Sequence, residues 1–233
     1  MTAGSPVGAV VPAAGLGLRL GPGAPKALRH LAGKPLLEHA VRGLRACPAV
    51  GPVVVAAPAA DVDDVARLLA AYDVQVVAGG AERQESVRLA LAALPGEVAL
   101  VLVHDAARCL VPVTVIEAVV AALHAGAAAV VPVLPVNDTV KQVDGFRVVG
   151  TLDRAVLRAV QTPQGFRREV LERAHAASCS AATDYAWLVE ALGEVVVTVP
   201  GDDEAFKVTR PLDLLLAEAV LALRAPAGGR HGR

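Results

Sequence analysis

Short runs of consecutive apolar residues alternate with segments of helical periodicity through the first half of this 233-residue chain. The apolar runs predict strands at 7–12, 53–57, 74–77, 98–103 and 128–133. Apolar residues spaced three and four apart predict helices at 35–46, from about 61 to 71, from about 84 to 94, and at 113–125. Strands that are apolar throughout and separated by helices are typical of a doubly wound α/β fold, with a mostly parallel sheet covered by helices on both faces.

This alternation of strands and helices ends in the segment "DTVKQVDGFRVVGTLDR", where apolar and polar residues alternate with period two. Asp144 and Gly145 form a dipeptide that suits a two-residue hairpin turn. An isolated hairpin is only marginally stable, so its valine-rich strands need a cover. We therefore predict a protruding β-arm at about 137–154 that forms a homodimer.

The rest of the chain predicts helices at 168–177 and 211–223 and a strand at 195–199. We find no internal repeat and no linker between independent domains. We expect one domain over residues 1–223 and a flexible tail at 224–233.

Composition excludes several classes of protein. A formal net charge of −1 argues against a nucleic-acid partner. No stretch is long and apolar enough to cross a bilayer, and the N-terminus lacks the pattern of a signal peptide, so we expect a cytoplasmic protein without a membrane partner. The three cysteines are far apart and the six histidines lack ligand spacing. A bound metal would therefore depend on carboxylates or on the substrate.

Glycines and two cations dominate the loop "VVPAAGLGLRLGPGAPK" at 10–26, after the first strand. Gly15, Gly17 and Gly21 do not have the dinucleotide-binding spacing, and no acidic residue ends the second strand. A loop of this kind lets the backbone approach a ligand closely. Because Arg19 and Lys26 are its only charges, the ligand is expected to be anionic. From the residues alone, a structural turn with two solvated cations is an equal alternative.

Seven motifs carry a resemblance that extends over residues 7–223. In order, they are "PAAGLGLRLGPGAPK", "GGAERQESV", "VHDAAR", "NDTVKQV", "AVQTPQGF", "ATDYA" and "KVTRPLDLLLAE". The first resembles the signature loop of sugar-phosphate nucleotidyltransferases, and the set resembles the cytidylyltransferase family that acts on 2-C-methyl-D-erythritol 4-phosphate. The resemblance implies transfer of CMP from CTP to that polyol phosphate with Mg²⁺, and release of pyrophosphate. It also implies the doubly wound fold and a homodimer formed through the β-arm.

The resemblance assigns roles residue by residue. The catalytic set that it implies is Arg19, Lys26, Arg154 and Lys207. The nucleotide-binding set is Ala13, Ala14, Gly15, Gly17, Gly80, Ser86, Asp105 and Ala106. The substrate-binding set is Asp105, Arg108, Thr139, Arg154, Thr162, Thr183 and Lys207. Asp105 is also the candidate Mg²⁺ ligand, with most of the coordination expected from the triphosphate.

The chain departs from the family pattern at several positions. Ala81 stands where a carboxylate is frequent, and Cys109 stands where proline is usual. Tyr185 and Trp187 replace smaller residues and are expected to add bulk on the substrate side. Two alternatives therefore stay open: a cytidylyltransferase for another polyol phosphate such as ribitol 5-phosphate, and a non-catalytic nucleotide sensor on the same fold. We expect Arg83 to be a structural or peripheral charge.

Overall fold

The computed structural model describes residues 6–15, 25–177 and 184–224, and a sheet lies at its centre. The strands of the described residues are β1 (Val7–Pro12), β2 (His30–Leu31), β3 (Lys34–Pro35), β4 (Val50–Ala57), β5 (Gln75–Ala78), β6 (Leu100–Val103), β7 (Ala129–Pro135), β8 (Lys141–Asp144), β9 (Arg147–Thr151), β10 (Arg158–Val160), β11 (Gln164–Arg167) and β12 (Val196–Pro200). The helices in the same ranges are α1 (Leu36–Arg45), α2 (Val62–Leu68), α3 (Arg83–Ala93), α4 (Val113–His124), α5 (Arg168–Ala177), α6 (Tyr185–Ala191) and α7 (Pro211–Arg224).

The central sheet has the strand order β10-β7-β11-β6-β1-β4-β5, and β12 pairs with β7. β1 pairs in parallel with β4 and β6, and β5 continues the parallel array beside β4. β11 lies antiparallel between β6 and β7, and β10 is antiparallel to β7. The predicted mostly parallel, doubly wound sheet is confirmed. All five strands predicted in the first half of the chain are present, and the strand predicted at 195–199 is present as β12.

Alternate residues of the central strands face two separate cores. Ala9 and Val11 of β1 belong to the core that contains residues of α1, α2 and α4. Val10 belongs to the other core, with residues of α3, α5 and α6. Since both faces of the parallel strands are buried, their residues are apolar throughout. A smaller cluster joins α7 to Leu31 and Leu110.

The predicted hairpin is present as the two-stranded sheet of β8 and β9, apart from the central sheet. Asp144 pairs with Arg147, so the two-residue turn consists of Gly145 and Phe146 and lies one residue later than predicted. Gly145 has φ +57°, which a glycine adopts without strain. Phe146 is fully exposed, and Val143 is more than half exposed. Nothing within the described chain covers this surface.

Five short elements of the described residues were not predicted. They are β2, β3, β10, β11 and α6, which have two to seven residues each and no clear periodicity. α7 extends to Arg224, one residue into the predicted tail, and the rest of the tail lies outside the described residues. Among the helices of the described ranges, none is long and apolar enough to cross a membrane.

Candidate functional site

Loops that follow three parallel strands surround a cavity at one edge of the sheet. Parallel strands end at the same edge, so the segments after β1, β5 and β6 come together there. The cavity has a volume of about 210 Å³, and we call it the edge pocket. It is lined by residues 12–15, 26–27, 80–83, 86, 105–107 and 207.

Backbone groups form one part of the pocket wall. Gly79 approaches the loop after β1 so closely that a Cβ atom on it would lie 2.7 Å from the Cβ of Ala14. The Gly80 N–H donates to Oγ of Ser86 at 3.1 Å, and that hydroxyl donates to the Glu82 carbonyl at 3.0 Å. Small residues in both loops leave peptide groups, rather than long side chains, to contact a ligand here.

Asp105 is held between two cations directly after β6. Its Oδ1 accepts from Nη2 and Nε of Arg83 at 2.5 and 3.2 Å. Its Oδ2 accepts from Nζ of Lys207 at 2.6 Å. Burial by itself would raise the pKa of the Asp105 carboxyl, but the charges of Arg83 and Lys207 outweigh burial and hold the pKa well below its usual range. Asp105 is therefore ionised at neutral pH.

Neutral polar groups hold the backbone of Asp105 in place. The Asp105 backbone N–H donates to Oγ1 of Thr162 at 3.0 Å, and this hydroxyl lies 3.1 Å from Nδ1 of His104. His104 is fully buried, and burial lowers its pKa to about 4, so it is neutral at pH 7. Thr162 is also buried and does not line the edge pocket. Within this chain, Thr162 therefore supports the Asp105 loop and is not part of the cavity wall.

The predicted cations have different positions relative to the edge pocket. Lys26 and Lys207 line it. The segment that carries Lys207 is tied to the Asp105 loop, because the Val208 N–H donates to the Ala107 carbonyl at 2.8 Å. Arg108 does not line the pocket; its guanidinium donates to backbone carbonyls of Ala205 and Val160 at 2.8 and 3.0 Å.

The residues predicted near the β-arm lie outside the edge pocket of their own chain. Thr139 and Arg154 are both exposed, and the Arg154 guanidinium donates to the Asn137 carbonyl. Gly17, Arg19 and Thr183 lie outside the described residues. Of the predicted site residues, the pocket brings together Ala13, Ala14, Gly15, Lys26, Gly80, Ser86, Asp105, Ala106 and Lys207.

One expectation about side chains near the site is confirmed and one was wrong. Arg83 is a structural charge, since it pairs with Asp105, and it also lines the edge pocket. Its position at the start of a helix, just after the loop at the carboxyl edge of the sheet, was the signal that could have identified it. Tyr185 adds no bulk to the cavity: it is buried, and its hydroxyl donates to the Arg83 carbonyl at 3.1 Å. Trp187 is half-exposed.

The carboxylates of the edge pocket suit a metal that receives most of its ligands from a substrate. No group of three His, Cys, Asp or Glu side chains with metal-binding geometry occurs in the described ranges. Glu82 and Asp105 line the pocket, and Oδ2 of Asp105 accepts one hydrogen bond, from Lys207, which leaves it a second lone pair. Mg²⁺ commonly takes one or two protein carboxylates and completes its coordination with phosphates and water. The residues present fit that arrangement.

Comparison with known proteins gives a consistent match over nearly the whole chain. The model of the 2-C-methyl-D-erythritol 4-phosphate cytidylyltransferase family matches residues 7–223. The protein of that name from Streptomyces coelicolor is 58% identical over 229 residues, which cover 93% of this chain and 85% of the relative. The one from Frankia casuarinae is 59% identical, covering 95% and 83%. The crystal structure of the one from Thermus thermophilus is 37% identical, with a TM-score of 0.78 over 94% of this chain and all of that one.

Proposed function

The chain belongs to the 2-C-methyl-D-erythritol 4-phosphate cytidylyltransferase family, and from this premise we propose how its edge pocket performs the reaction. The enzyme is a nucleotidyltransferase that transfers CMP from CTP to 2-C-methyl-D-erythritol 4-phosphate, with release of pyrophosphate. The observation that carries the proposal is the arrangement of Lys26, Asp105 and Lys207 around one cavity, beside a wall of peptide groups. Such a pocket combines positive charge for a triphosphate with directional hydrogen bonding for a base.

The chemistry requires positioning and charge more than proton transfer. An oxygen of the acceptor's phosphate attacks the α-phosphorus of CTP in line, and the bond to the β-phosphate oxygen breaks as pyrophosphate leaves. That phosphate is already ionised at neutral pH, so no general base is needed. Catalysis then consists of aligning two anions and stabilising the charge of the pentacoordinate state.

We assign those tasks to the cations of the pocket. Lys26, and Arg19 in the same loop, stabilise the α-phosphate and the leaving group. Lys207 binds the phosphate of the acceptor, while Asp105 keeps its ammonium group in place and accepts hydrogen bonds from ligand hydroxyls. The 2.6 Å separation of Lys207 and Asp105 supports this pairing.

The cytosine base is assigned to the peptide wall. Ala13, Ala14 and Gly15 follow β1, and Gly80 approaches from the loop after β5. Peptide groups can bond the exocyclic amine and the ring carbonyl of cytosine, and a site built on such bonds rejects analogues that leave buried groups unpaired. Ala81 lacks the carboxylate that is frequent at this position, but a contact made by the backbone does not require that side chain.

Mg²⁺ is proposed as the divalent cofactor. Asp105 is the candidate protein ligand, and the phosphates of CTP supply the other oxygen atoms. When bound, the metal would offset phosphate charge. The chain's own residues orient the triphosphate around it.

The β-arm is proposed to form a homodimer in which two chains share each site. The exposed apolar side chains of the hairpin support this arrangement, since an isolated chain leaves them in water. Thr139 and Arg154 would then meet the acceptor only in the assembled dimer, together with Arg108, whereas the buried Thr162 supports Asp105 from within its own chain. We propose that residues 1–223 work as one nucleotidyltransferase domain in the cytoplasm, where CTP is available.

Pyrophosphate release tests the reaction directly. The enzyme is incubated with each of the four nucleoside triphosphates and with methylerythritol 4-phosphate, erythritol 4-phosphate or ribitol 5-phosphate. We expect release with CTP and methylerythritol 4-phosphate and much less with every other pair. Equal release with UTP would contradict the assignment of the peptide wall, and faster release with ribitol 5-phosphate would contradict the acceptor.

Subunit mixing tests the shared site. Lys26→Ala and Arg154→Ala are each expected to be inactive; after exchange, half of the dimers are mixed. If Arg154 serves its neighbour's site, each mixed dimer has one site with both defects and one with neither. Activity should then recover to about a quarter of wild type. No recovery, with exchange confirmed by a tagged subunit, would mean that Arg154 acts within its own chain.

A further inference from the structure

We propose that Tyr185 is a positioning residue that holds Arg83 against Asp105 and thereby sets the charge that CTP meets in the edge pocket. This inference rests on the proposed function, and it gives a role to a side chain that lies outside the cavity. Tyr185 touches neither reactant. It acts on the site through Arg83.

Tyr185 contacts both ends of Arg83. Its hydroxyl donates to the Arg83 carbonyl at 3.1 Å, and its ring lies beneath the guanidinium, with 4.6 Å from the Arg83 Cζ to the ring centroid. Arg83 is the first residue of α3, so the hydrogen bond fixes the point where the helix begins. The ring then defines the direction of the long side chain, since a guanidinium prefers the face of an aromatic ring.

Tyr185 is itself held firmly by its surroundings. It is 2% exposed and belongs to the core that contains Phe166 and Leu171. The His175 ring centroid lies 5.4 Å from that of Tyr185. Asp184 is the N-cap of α6, the helix that begins with Tyr185, because its carboxylate accepts a hydrogen bond from the Trp187 N–H at 2.8 Å. A side chain fixed on all these sides is a rigid support for an arginine that is partly exposed.

The consequence for the pocket follows from the sharing of one carboxylate. Asp105 bonds Arg83 through Oδ1 and Lys207 through Oδ2. If Arg83 turned away, the Asp105 carboxylate would lose one of its two counter-charges. The unbalanced negative charge would then repel the triphosphate of CTP in the edge pocket. Tyr185 therefore supports CTP binding through Arg83 and Asp105.

The test compares two substitutions of Tyr185 with a matched control on the same helix. Tyr185→Phe keeps the ring and removes the hydroxyl, whereas Tyr185→Leu removes both contacts. Glu190→Gln changes an exposed residue of the same helix and should leave the kinetics unchanged. We expect the KM for CTP to rise about threefold for Tyr185→Phe and about tenfold for Tyr185→Leu, in line with one hydrogen bond and one cation–π contact. The kcat should stay within about twofold, since an interaction present in both the ground and transition states acts on KM.

A double-mutant cycle separates positioning from folding. On an Arg83→Ala background the guanidinium is absent, so the remaining hydrogen bond to the carbonyl of residue 83 positions no charge, and Tyr185→Leu should raise the KM no further. A variant that is merely less stable would lose active molecules, which lowers kcat and leaves KM unchanged. That pattern, or a further rise in KM on the Arg83→Ala background, would overturn the inference. If Tyr185→Leu does not fold, Tyr185→Phe provides the same comparison.

Calorimetric titration with CTP separates the proposed role of Tyr185 from the proposed reaction. An active wild-type enzyme whose KM for CTP is unaffected by either Tyr185 substitution would refute this inference alone. A wild type that binds CTP but releases no pyrophosphate would refute the proposed reaction, and the CTP affinities of the variants would still decide the role of Tyr185. A wild type that does not bind CTP would refute both.

Discussion

Replacing Asp105 with asparagine is the most direct perturbation of the edge pocket. The substitution keeps the size of the side chain and removes the negative charge between two cations. Arg83 and Lys207 lie 2.5 and 2.6 Å from its oxygens. In Asp105→Asn the two cations would face each other without a counter-charge, so we expect a less stable protein as well as a less active one.

The magnitude follows from the distances and the exposure of the three side chains. At 2.6 Å one ion pair is worth roughly 6 kcal/mol at an effective dielectric of about 20 and under about 2 kcal/mol in water. Asp105 is 10% exposed, but Arg83 and Lys207 are 36% and 39% exposed, so solvent screens them strongly. The cost of burying the carboxylate offsets part of the attraction that remains after this screening. We therefore expect a loss of about 2 kcal/mol in unfolding free energy, or a fall in Tm of about 4–8 °C.

The pH dependence supplies a second, independent criterion. Because the pKa of Asp105 is depressed in the folded state, its contribution is complete above the unfolded pKa near 4 and is lost as the pH falls towards the folded value. Urea unfolding followed by circular dichroism should show a larger difference between wild type and Asp105→Asn at pH 7 than at pH 3.5. Asp64→Asn, in an exposed pair with Arg67, should cost less than about 0.5 kcal/mol. A wild-type midpoint for Asp105→Asn at pH 7, or an equal difference at both pH values, would refute the reasoning.

Three further predictions concern other parts of the chain. Lys26→Ala should lower kcat about a hundred- to a thousandfold in a pyrophosphate-release assay, since it removes one charged contact to the transition state; near-normal turnover would make the loop a structural turn. Burial raises the pKa of the Cys109 thiol to about 12, so iodoacetamide at pH 8 should label it in urea but hardly in the folded protein, as measured by peptide mass spectrometry. Phe146→Asp should convert a dimer to a monomer in light scattering; an unchanged mass would contradict the role of the β-arm.

The parallel sheet could be predicted because each of its strands carries its own signal. A strand buried on both faces, such as β1, needs a run of apolar residues, and the run is visible without neighbours. β11 has no such signal, since only Phe166 among its four residues is large and apolar. It is stabilised by hydrogen bonds to β6 on one side and β7 on the other. The tertiary position, rather than local propensity, determines that strand.

The site could be predicted only where the topology brings strand ends together. Gly15, Gly80 and Asp105 follow three parallel strands, so their meeting follows from the fold. Arg83 and Tyr185 are 102 positions apart in the sequence. No local pattern indicates that the Tyr185 ring supports the Arg83 guanidinium. Contacts of this kind depend on how α6 packs against α3, which the sequence does not display.

The charge of the edge pocket links the proposals about metal and dimer. Lys26, Arg83 and Lys207 line the described part of the pocket with Glu82 and Asp105, which leaves a net of one positive charge there. CTP and a polyol phosphate together carry several negative charges, and repulsion between them opposes the reaction. The described residues of the pocket do not balance that charge, and the proposed divalent cation and the proposed partner arm would each supply part of the remainder. We therefore expect chelation of divalent cations to weaken CTP binding in calorimetry more than Lys26→Ala does, because it removes two charges rather than one. Equal CTP affinity with and without Mg²⁺ would mean that the chain alone provides the balance.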